Sequence, residues 1–479
     1  MLACQPGPRP LSPGSYRPRN AAATSLYRLL QDHLEAFLAR RATDREDSPT
    51  HPAVVERSLR AFLECGIPRF GLVRFRCPSC SESLFVAFSC KRRGACPSCD
   101  GKRAAVTATR ALDTLLPDVG YRQWVLVVPK RLRYYIHRSP ELAGEVSRLL
   151  ARELELYYAR KLGAGTAAQI HFIQRFGSTL NLHLHVHAVV SDGLFRKQAG
   201  LLGRPSLDFE PGEAPTVDET AKLTDILRRK ILRRFVRLGA IEPRVAREML
   251  AWEHSGFSLH GATAVRAGDR AGLERLLYYC ARPAFSVKRL SYLKEEGLAV
   301  YDAADKVLGE RRLVFSAVEF IGRLSRLIPP PRKNLVRYYG ALGPSSPLRP
   351  LLCEAACALS GEEPLRRFGR ALSEAAVAVT ASARAWGRLL SRVFEVDPLA
   401  CLRCGGRLVP VAAILEDRQI ARVLAHLGLS TDFPKLLPAR SPPAAEGEDP
   451  QADPGLYEGI DPPAPDDDAQ VPTDPATEA

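Results

Sequence analysis

Between positions 181 and 190 the chain reads Asn181-Leu182-His183-Leu184-His185-Val186-His187-Ala188-Val189-Val190, an alternation of apolar and polar side chains with period two. Successive side chains of a strand point to opposite faces, so the pattern predicts a half-buried strand with His183, His185 and His187 on one face. Leu184, Val186 and either Ala188 or Val189 would serve the core. Ala168 to Phe176 reads as a preceding strand and Gly177-Ser178 as the turn between them, which predicts an antiparallel hairpin closed at Ser191-Asp192-Gly193. Arg122 to Val128 reads as a further, buried strand. Elsewhere the period is helical. Leu26, Leu29, Leu30, His33, Leu34, Phe37 and Leu38 make one stripe, with His33 as a packing residue. Leu223, Ile226, Leu227, Ile231, Phe235 and Val236 make another, backed by Arg228, Arg229, Lys230, Arg233, Arg234 and Arg237. Helices are also predicted over residues 52–64, 104–115, 139–162 and 317–327, a strand over 311–316, and a Gly/Pro-rich loop over 199–217.

Composition adds a class and a partner. A chain of 479 residues with 46% hydrophobic content has ample material for more than one core. No apolar run approaches the roughly 20 residues that span a bilayer. The Pro-rich start lacks the apolar core of a secretory signal, so no membrane partner and a cytoplasmic location are expected. The net charge of +15 understates the basic character, because residues 441–479 hold eleven acids and no Lys or Arg, leaving +26 on residues 1–440. A body so basic expects a polyanion, with nucleic acid foremost.

The 12 cysteines of such a chain read as metal ligands or buried thiols. Cys77-Pro78-Ser79-Cys80 and Cys96-Pro97-Ser98-Cys99 are two C-x-x-C knuckles, and each can bring two sulfurs to one tetrahedral ion. Together they predict a four-thiolate zinc site, with Cys90 as a fifth candidate. Lys91, Arg92, Arg93, Lys102 and Arg103 around it would compensate the thiolate charge or face phosphate. Cys401-Leu402-Arg403-Cys404 looks like a third knuckle, but no second pair follows it, so a half-site is expected there.

Three histidines on one strand face point to metal rather than packing, since imidazole is the commonest metal-ligand side chain. Later in the chain, Leu273, Leu276, Leu277 and Cys280 form a helical stripe that leaves Tyr278 and Tyr279 off its centre. Arg275 and Arg282 flank Tyr279 on one side and could hold a phosphodiester beside it. Lys130, Arg131 and Arg133, interleaved with Tyr134 and Tyr135, suit phosphate contact with base stacking. A metal to polarise a phosphoryl oxygen, a tyrosine to attack phosphorus and a basic surface make one coherent chemistry on single-stranded DNA.

These segments resemble a known family, the HUH-type rolling-circle transposases of the insertion-sequence-ninety-one group and its common-region relatives. The likeness runs from about Tyr16 to Leu429. It rests on Ser89 to Cys99, on Arg122-Gln123-Trp124-Val125-Leu126 with Pro129 to Arg133, on Phe172 to Ser178, on the histidine row, on Tyr279-Cys280-Ala281-Arg282-Pro283 and on Pro329-Pro330-Pro331-Arg332. The resemblance implies that His185 and His187 carry the metal pair, with His183 as a third ligand or neighbour, and that Tyr279 is the nucleophile, Tyr278 being the alternative. The family's two-tyrosine members have a second Tyr where this chain has Pro283, which implies a single-tyrosine enzyme.

The implied fold class is α+β: a central antiparallel sheet with helices against one face, preceded by a small Cys4 zinc-ribbon-like module with helices. A helical C-terminal region and a disordered acidic tail would follow. The implied segments are a flexible 1–23, a helical and zinc-binding 24–115, a nuclease core 116–345, a helical region with the C-x-x-C knuckle 346–434, and the tail 435–479. Zinc in the thiolate site and magnesium or manganese at the histidines are implied. So are single-stranded DNA at the ends of a mobile element as partner and a 5′-phosphotyrosine intermediate. A plasmid relaxase or replication initiator shares this chemistry. A histidine-triad nucleotide hydrolase fits the His-aliphatic alternation alone, and the basic body, cysteines and tyrosine argue against it.

Overall fold

A computed structural model describes residues 20–43, 52–199, 205–253, 255–305, 309–360 and 399–438. The expected flexible start falls mostly outside these residues. So do the acidic tail after residue 438 and the middle of the C-terminal region.

In chain order the elements are α1 (Ser25–Thr43), α2 (Pro52–Glu64), β1 (Leu72–Arg76), β2 (Ser83–Ala87), α3 (Pro97–Thr114), β3 (Tyr121–Val127), α4 (Lys130–Arg138) and α5 (Glu141–Leu162). Next come β4 (Ala168–Phe176), β5 (Leu182–Ser191), β6 (Gly193–Ala199), β7 (Pro205–Pro211), α6 (Val217–Arg237), α7 (Pro243–Ala251), β8 (Ser258–His260), β9 (Ala264–Val265) and α8 (Arg270–Ala281). The chain continues through β10 (Leu290–Leu293), β11 (Leu298–Asp305), β12 (Gly309–Ser316), α9 (Ala317–Leu327), β13 (Val336–Gly340), α10 (Arg349–Ser360), β14 (Val409–Ile414) and α11 (Asp417–His426). No described helix is long and apolar enough to cross a membrane.

The central sheet has the order β13-β4-β5-β3-β8, with β9 also on β3, and every pairing is antiparallel. The predicted hairpin is β4–β5, with Phe172 opposite His187 and Gln174 opposite His185. The architecture is α+β as expected, but helices cover both faces rather than one. Leu184, Val186, Ala188 and Val190 pack with Trp124, Leu126 and Ile173 against α5, α6 and α7. On the opposite face, Val189 joins Tyr121, Ile170 and Phe172 in a second core shared with α3, α8 and α10. A sheet buried twice explains the run Ala188-Val189-Val190, where the alternation gives way to unbroken apolar residues.

A third core joins α1, α2 and the Cys96–Cys99 turn to β10, β11, β12 and α9. Gly94 marks the closest approach: its φ is +73°, and a Cβ there would meet Leu327 O at 2.8 Å and Ile328 Cα at 2.9 Å. The loop expected over 199–217 instead contains β7, which pairs with β6 in a separate ribbon. Pro205 and Pro211 sit at the two ends of β7, where they interrupt the ladder least. Helix α3 begins at Pro97 rather than near 104, with proline in the first turn, where its missing N–H costs nothing.

The C-terminal knuckle region adds a strand to the first module. Strand β14 pairs with β1, making a three-stranded sheet β14-β1-β2 from opposite ends of the chain.

Candidate functional site: a histidine row beside Tyr279, and two thiolate clusters

The three histidines occupy one face of β5 as the alternation requires. Ring centroids are 5.1 Å apart from His183 to His185 and 4.9 Å from His185 to His187. The row runs along the strand, so one ion cannot reach all three rings in this arrangement. Among the described residues, the sets whose ligand atoms all lie within 4.8 Å of one another are cysteines, not these histidines.

Burial holds all three rings neutral. Desolvation, the largest cause, lowers His185 to about 4 and His183 to about 2, and sends His187 well below its ordinary value. Neighbouring cations act in the same direction, Arg133 on His183 and Arg282 on His185 and His187. A neutral imidazole keeps the lone pair that a metal needs. His183 Nε2 and His187 Nε2 are buried with no hydrogen-bond partner. Such orphans are costly in a water-excluded site and fit a site that takes a cation.

Two glutamines tune the row, and sequence reasoning missed both as site residues. Gln123 Nε2 lies 2.7 Å from His187 Nδ1 and 3.6 Å from Cys280 Sγ. As placed, the amide donates to Nδ1, which leaves the ring proton on Nε2. A half-turn of the amide lets Oε1 accept from Nδ1–H and the Cys280 thiol, freeing Nε2 for a metal. Gln174 Oε1 lies 3.1 Å from His185 Nε2, and its Nε2 donates to Cys280 O at 2.7 Å. The available signal was a glutamine within each of the two strands that flank the histidine strand, Gln123 on β3 and Gln174 on β4.

Helix α8 brings Tyr279 to this row. Asp269 caps it by accepting from Gly272 N at 2.7 Å, and Arg270 donates to Leu112 O at 2.6 Å and Leu116 O at 2.8 Å, tying the helix to the C-terminal end of α3. Leu273, Leu276, Leu277 and Cys280 face the core, as their spacing predicted. The Tyr279 ring meets His187 edge-on at 5.7 Å and 86°, while 40% of the residue remains exposed. Tyr278 is exposed as well, but the described ring contact to the histidine row belongs to Tyr279. Arg282 lies over the Tyr279 ring at 4.7 Å and over Phe176 at 5.9 Å. Arg275 is exposed on the same helix.

Not every expected phosphate contact is on open surface. Arg133 is buried, with Nε directed at Val128 O, so it acts on the histidines rather than reaching outward. Arg93 spends its guanidinium on Lys333 O at 2.6 Å and Pro330 O at 3.4 Å, fastening the cysteine loop to the triproline turn. Lys91, Arg92 and Arg131 are exposed and Lys130 is partly so, with Arg131 pairing Glu248 at 3.1 Å. The cationic run of α6 is largely paired: Lys230 with Glu153, Arg234 with Glu145, and Arg229 with Asp225.

The cysteines correct the expectation of one site made from Cys77, Cys80, Cys96 and Cys99. The two knuckles part company. Cys96 and Cys99 join Cys65 and Cys90, with Cys65–Cys99, Cys90–Cys99 and Cys96–Cys65 sulfur separations of 3.7 Å. Cys77 and Cys80 join Cys401 and Cys404. The parting has a topological cause: β2 follows the first knuckle and leads away from it, while Cys65 ends α2 beside the second. A tetrahedral tetrathiolate with Zn–S of about 2.3 Å has sulfur edges of roughly 3.8 Å, so the first set fits zinc closely. Cys65 carries no motif and was not legible as a ligand.

Residues 169–348 match the family described as "Putative transposase", and residues 29–128 match the family described as "Transposase zinc-binding domain". The chain is 25% identical over 381 residues, 74% of its length and 82% of the relative's, to the transposase for insertion sequence element IS801 of Pseudomonas savastanoi pv. phaseolicola. No solved structure matches it. A zinc-binding domain ahead of a transposase domain and a transposase relative spanning both support a transposase of the insertion-sequence-ninety-one type.

Proposed function

We propose that this transposase cuts and rejoins a single strand of DNA at the ends of its mobile element, with Tyr279 as the nucleophile and His185 and His187 as a metal pair. The observation that carries the reading is the edge-on approach of Tyr279 to His187, from positions 92 residues apart in sequence, with the tyrosine still partly open to solvent. The phenolic oxygen bonds to phosphorus while the bond to the 3′ oxygen breaks. The phenol's proton is balanced by the proton gained on the departing 3′-hydroxyl, and the DNA is left as a 5′-phosphotyrosine. The reverse reaction rejoins a strand without an external energy source. Magnesium or manganese held by His185 and His187 would supply Lewis-acid polarisation of the phosphoryl oxygen. Gln123 beside His187 and Gln174 beside His185 orient the two rings, which burial keeps neutral. Arg282, over the Tyr279 ring, offers a cation to the incoming phosphodiester. Cys65, Cys90, Cys96 and Cys99 hold the zinc ion of the zinc-binding domain, and Lys91 and Arg92 beside them meet the DNA backbone.

The test is adduct formation on a single-stranded oligonucleotide carrying the element's end sequence, with magnesium present. Wild type should form a denaturant-stable protein–DNA adduct and Tyr279→Phe none, whereas Tyr278→Phe should keep it. An undiminished adduct in Tyr279→Phe would assign the attack to another residue.

A further inference from the structure

The C-x-x-C pair at Cys401 and Cys404 lies far beyond the residues that match the zinc-binding domain, yet it meets that domain's first knuckle in space. Cys77 Sγ lies 3.5 Å from Cys404 Sγ, and Cys80 Sγ 3.5 Å from Cys401 Sγ, so each sulfur of one pair faces a sulfur of the other. A disulfide holds its sulfurs near 2.05 Å and joins them two by two. Four sulfurs all within 4.8 Å of one another are instead the corners of a tetrahedral site.

The two knuckles repeat one backbone design. Ser81 N donates to Cys77 O at 2.9 Å and Gly405 N to Cys401 O at 2.8 Å. Cys77 N donates to Glu82 O at 2.8 Å and Cys401 N to Gly406 O at 2.7 Å. The residue after each second cysteine has positive φ, 62° at Ser81 and 72° at Gly405. Both turns therefore present their sulfurs from the same tight loop, related by an approximate twofold axis through the cluster. Gly406 completes the cradle: a Cβ there would come within 3.2 Å of Cys404 Sγ and 3.4 Å of Cys77 Sγ.

We propose that Cys77, Cys80, Cys401 and Cys404 bind a second zinc ion, which closes the zinc module with a segment from the other end of the chain. The surroundings need such a clasp. Among the described residues, Phe75, Leu399 and Leu408 alone add buried apolar side chains to Cys77 and Cys401 in this small core. Yet it must hold β14 on β1 across more than three hundred residues of intervening chain. The same segment is fastened further on. Arg69 pairs with Asp417, donates to Thr431 O at 2.6 Å and lies 3.8 Å over the Phe433 ring, and Gln31 Nε2 donates to Lys435 O at 2.6 Å. The module that precedes the transposase core is thus completed only when the C-terminal segment folds back onto it. This site is independent of the nuclease chemistry proposed above.

The experiment is zinc content of the purified full chain, followed by alkylation mapping. Wild type should carry two zinc ions per chain, and Cys401→Ser with Cys404→Ser should carry one. Cys96→Ser with Cys99→Ser should also carry one, because the two sites are separate. In zinc-loaded wild type, Cys401 and Cys404 should resist alkylation together with Cys77 and Cys80, and all four should react once a chelator removes the metal. A wild type with one zinc, unchanged in the Cys401/Cys404 variant, overturns the proposal. If that variant does not fold, the wild-type mapping decides: Cys401 and Cys404 reacting in the zinc-loaded protein as fast as in urea would equally overturn it.

Discussion

Gln123 shows how much of the candidate site rests on side chains that do no chemistry themselves. It orients the His187 ring and contacts Cys280, the residue after Tyr279, so one amide links the proposed metal pair to the helix of the proposed nucleophile. Removing such an outer partner costs metal sites on the order of 10–100-fold in affinity. Gln123→Ala should therefore raise the magnesium concentration for half-maximal cleavage by about that factor, with less effect at saturating metal. An unchanged metal titration would separate Gln123 from the site. His187→Ala should abolish cleavage while leaving DNA affinity within about twofold, since the ring is buried and phosphate contacts lie elsewhere. A loss of affinity as large as the loss of activity would give His187 a binding role.

Elements, rather than residues, decide how the zinc module meets the rest of the chain. The cysteine loop docks on the end of α9 through Gly94, at a spacing that admits no Cβ, and Arg93 ties it to the turn beyond. Gly94→Ala adds a left-handed alanine and an overlap with Leu327 O, worth roughly 1–3 kcal/mol each. Its thermal midpoint should fall by several degrees without loss of the zinc held by the neighbouring cysteines. A midpoint equal to wild type would mean that the loop moves without cost. Helix α8 is placed in the same manner by neighbours: Thr109 donates to Glu274 at 3.0 Å, and Arg270 binds the last carbonyls of α3. The zinc-binding segment thereby helps to position the tyrosine helix.

At the scale of the whole molecule, charge and burial act together. The +26 of residues 1–440 predicts DNA binding that weakens with salt. Lys91→Ala and Arg92→Ala, both exposed, should each reduce the slope of log K against log salt for single strands by about 0.7. Arg93→Ala should leave the slope intact and lower stability, because its guanidinium is spent on backbone carbonyls. Buried neutral histidines set the response to acid. Desolvation, the largest cause in each, holds His137 and His171 at about 3, with Arg175 adding to the effect on His137 and Arg337 on His171. The unfolded chain protonates these rings near 6.5 and the folded chain does not until about 3, so unfolding takes up protons between those values. Stability should accordingly fall as pH drops from 7 to 5, by about 1.4 kcal/mol per unit for each such ring once below the unfolded value. Urea midpoints measured across that range check it; a midpoint rising on acidification would contradict neutral burial.

Periodicity alone determined the strand of histidines, the hairpin before it and the stripe of α8, because which face a side chain takes follows from the local backbone repeat. The knuckles were equally legible, since two thiolates in one tight turn are a local matter. Which knuckle pairs with which is not local. Only the tertiary structure sent Cys77 and Cys80 to Cys401 and Cys404, recruited the motif-less Cys65, and turned Arg133 and Arg93 from surface cations into buried and structural ones. The meeting of Tyr279 with His187 belongs to the same class. Each depends on how sheets and helices stack across long stretches of chain, where the driving force is the burial of apolar faces and carries no record of sequence distance.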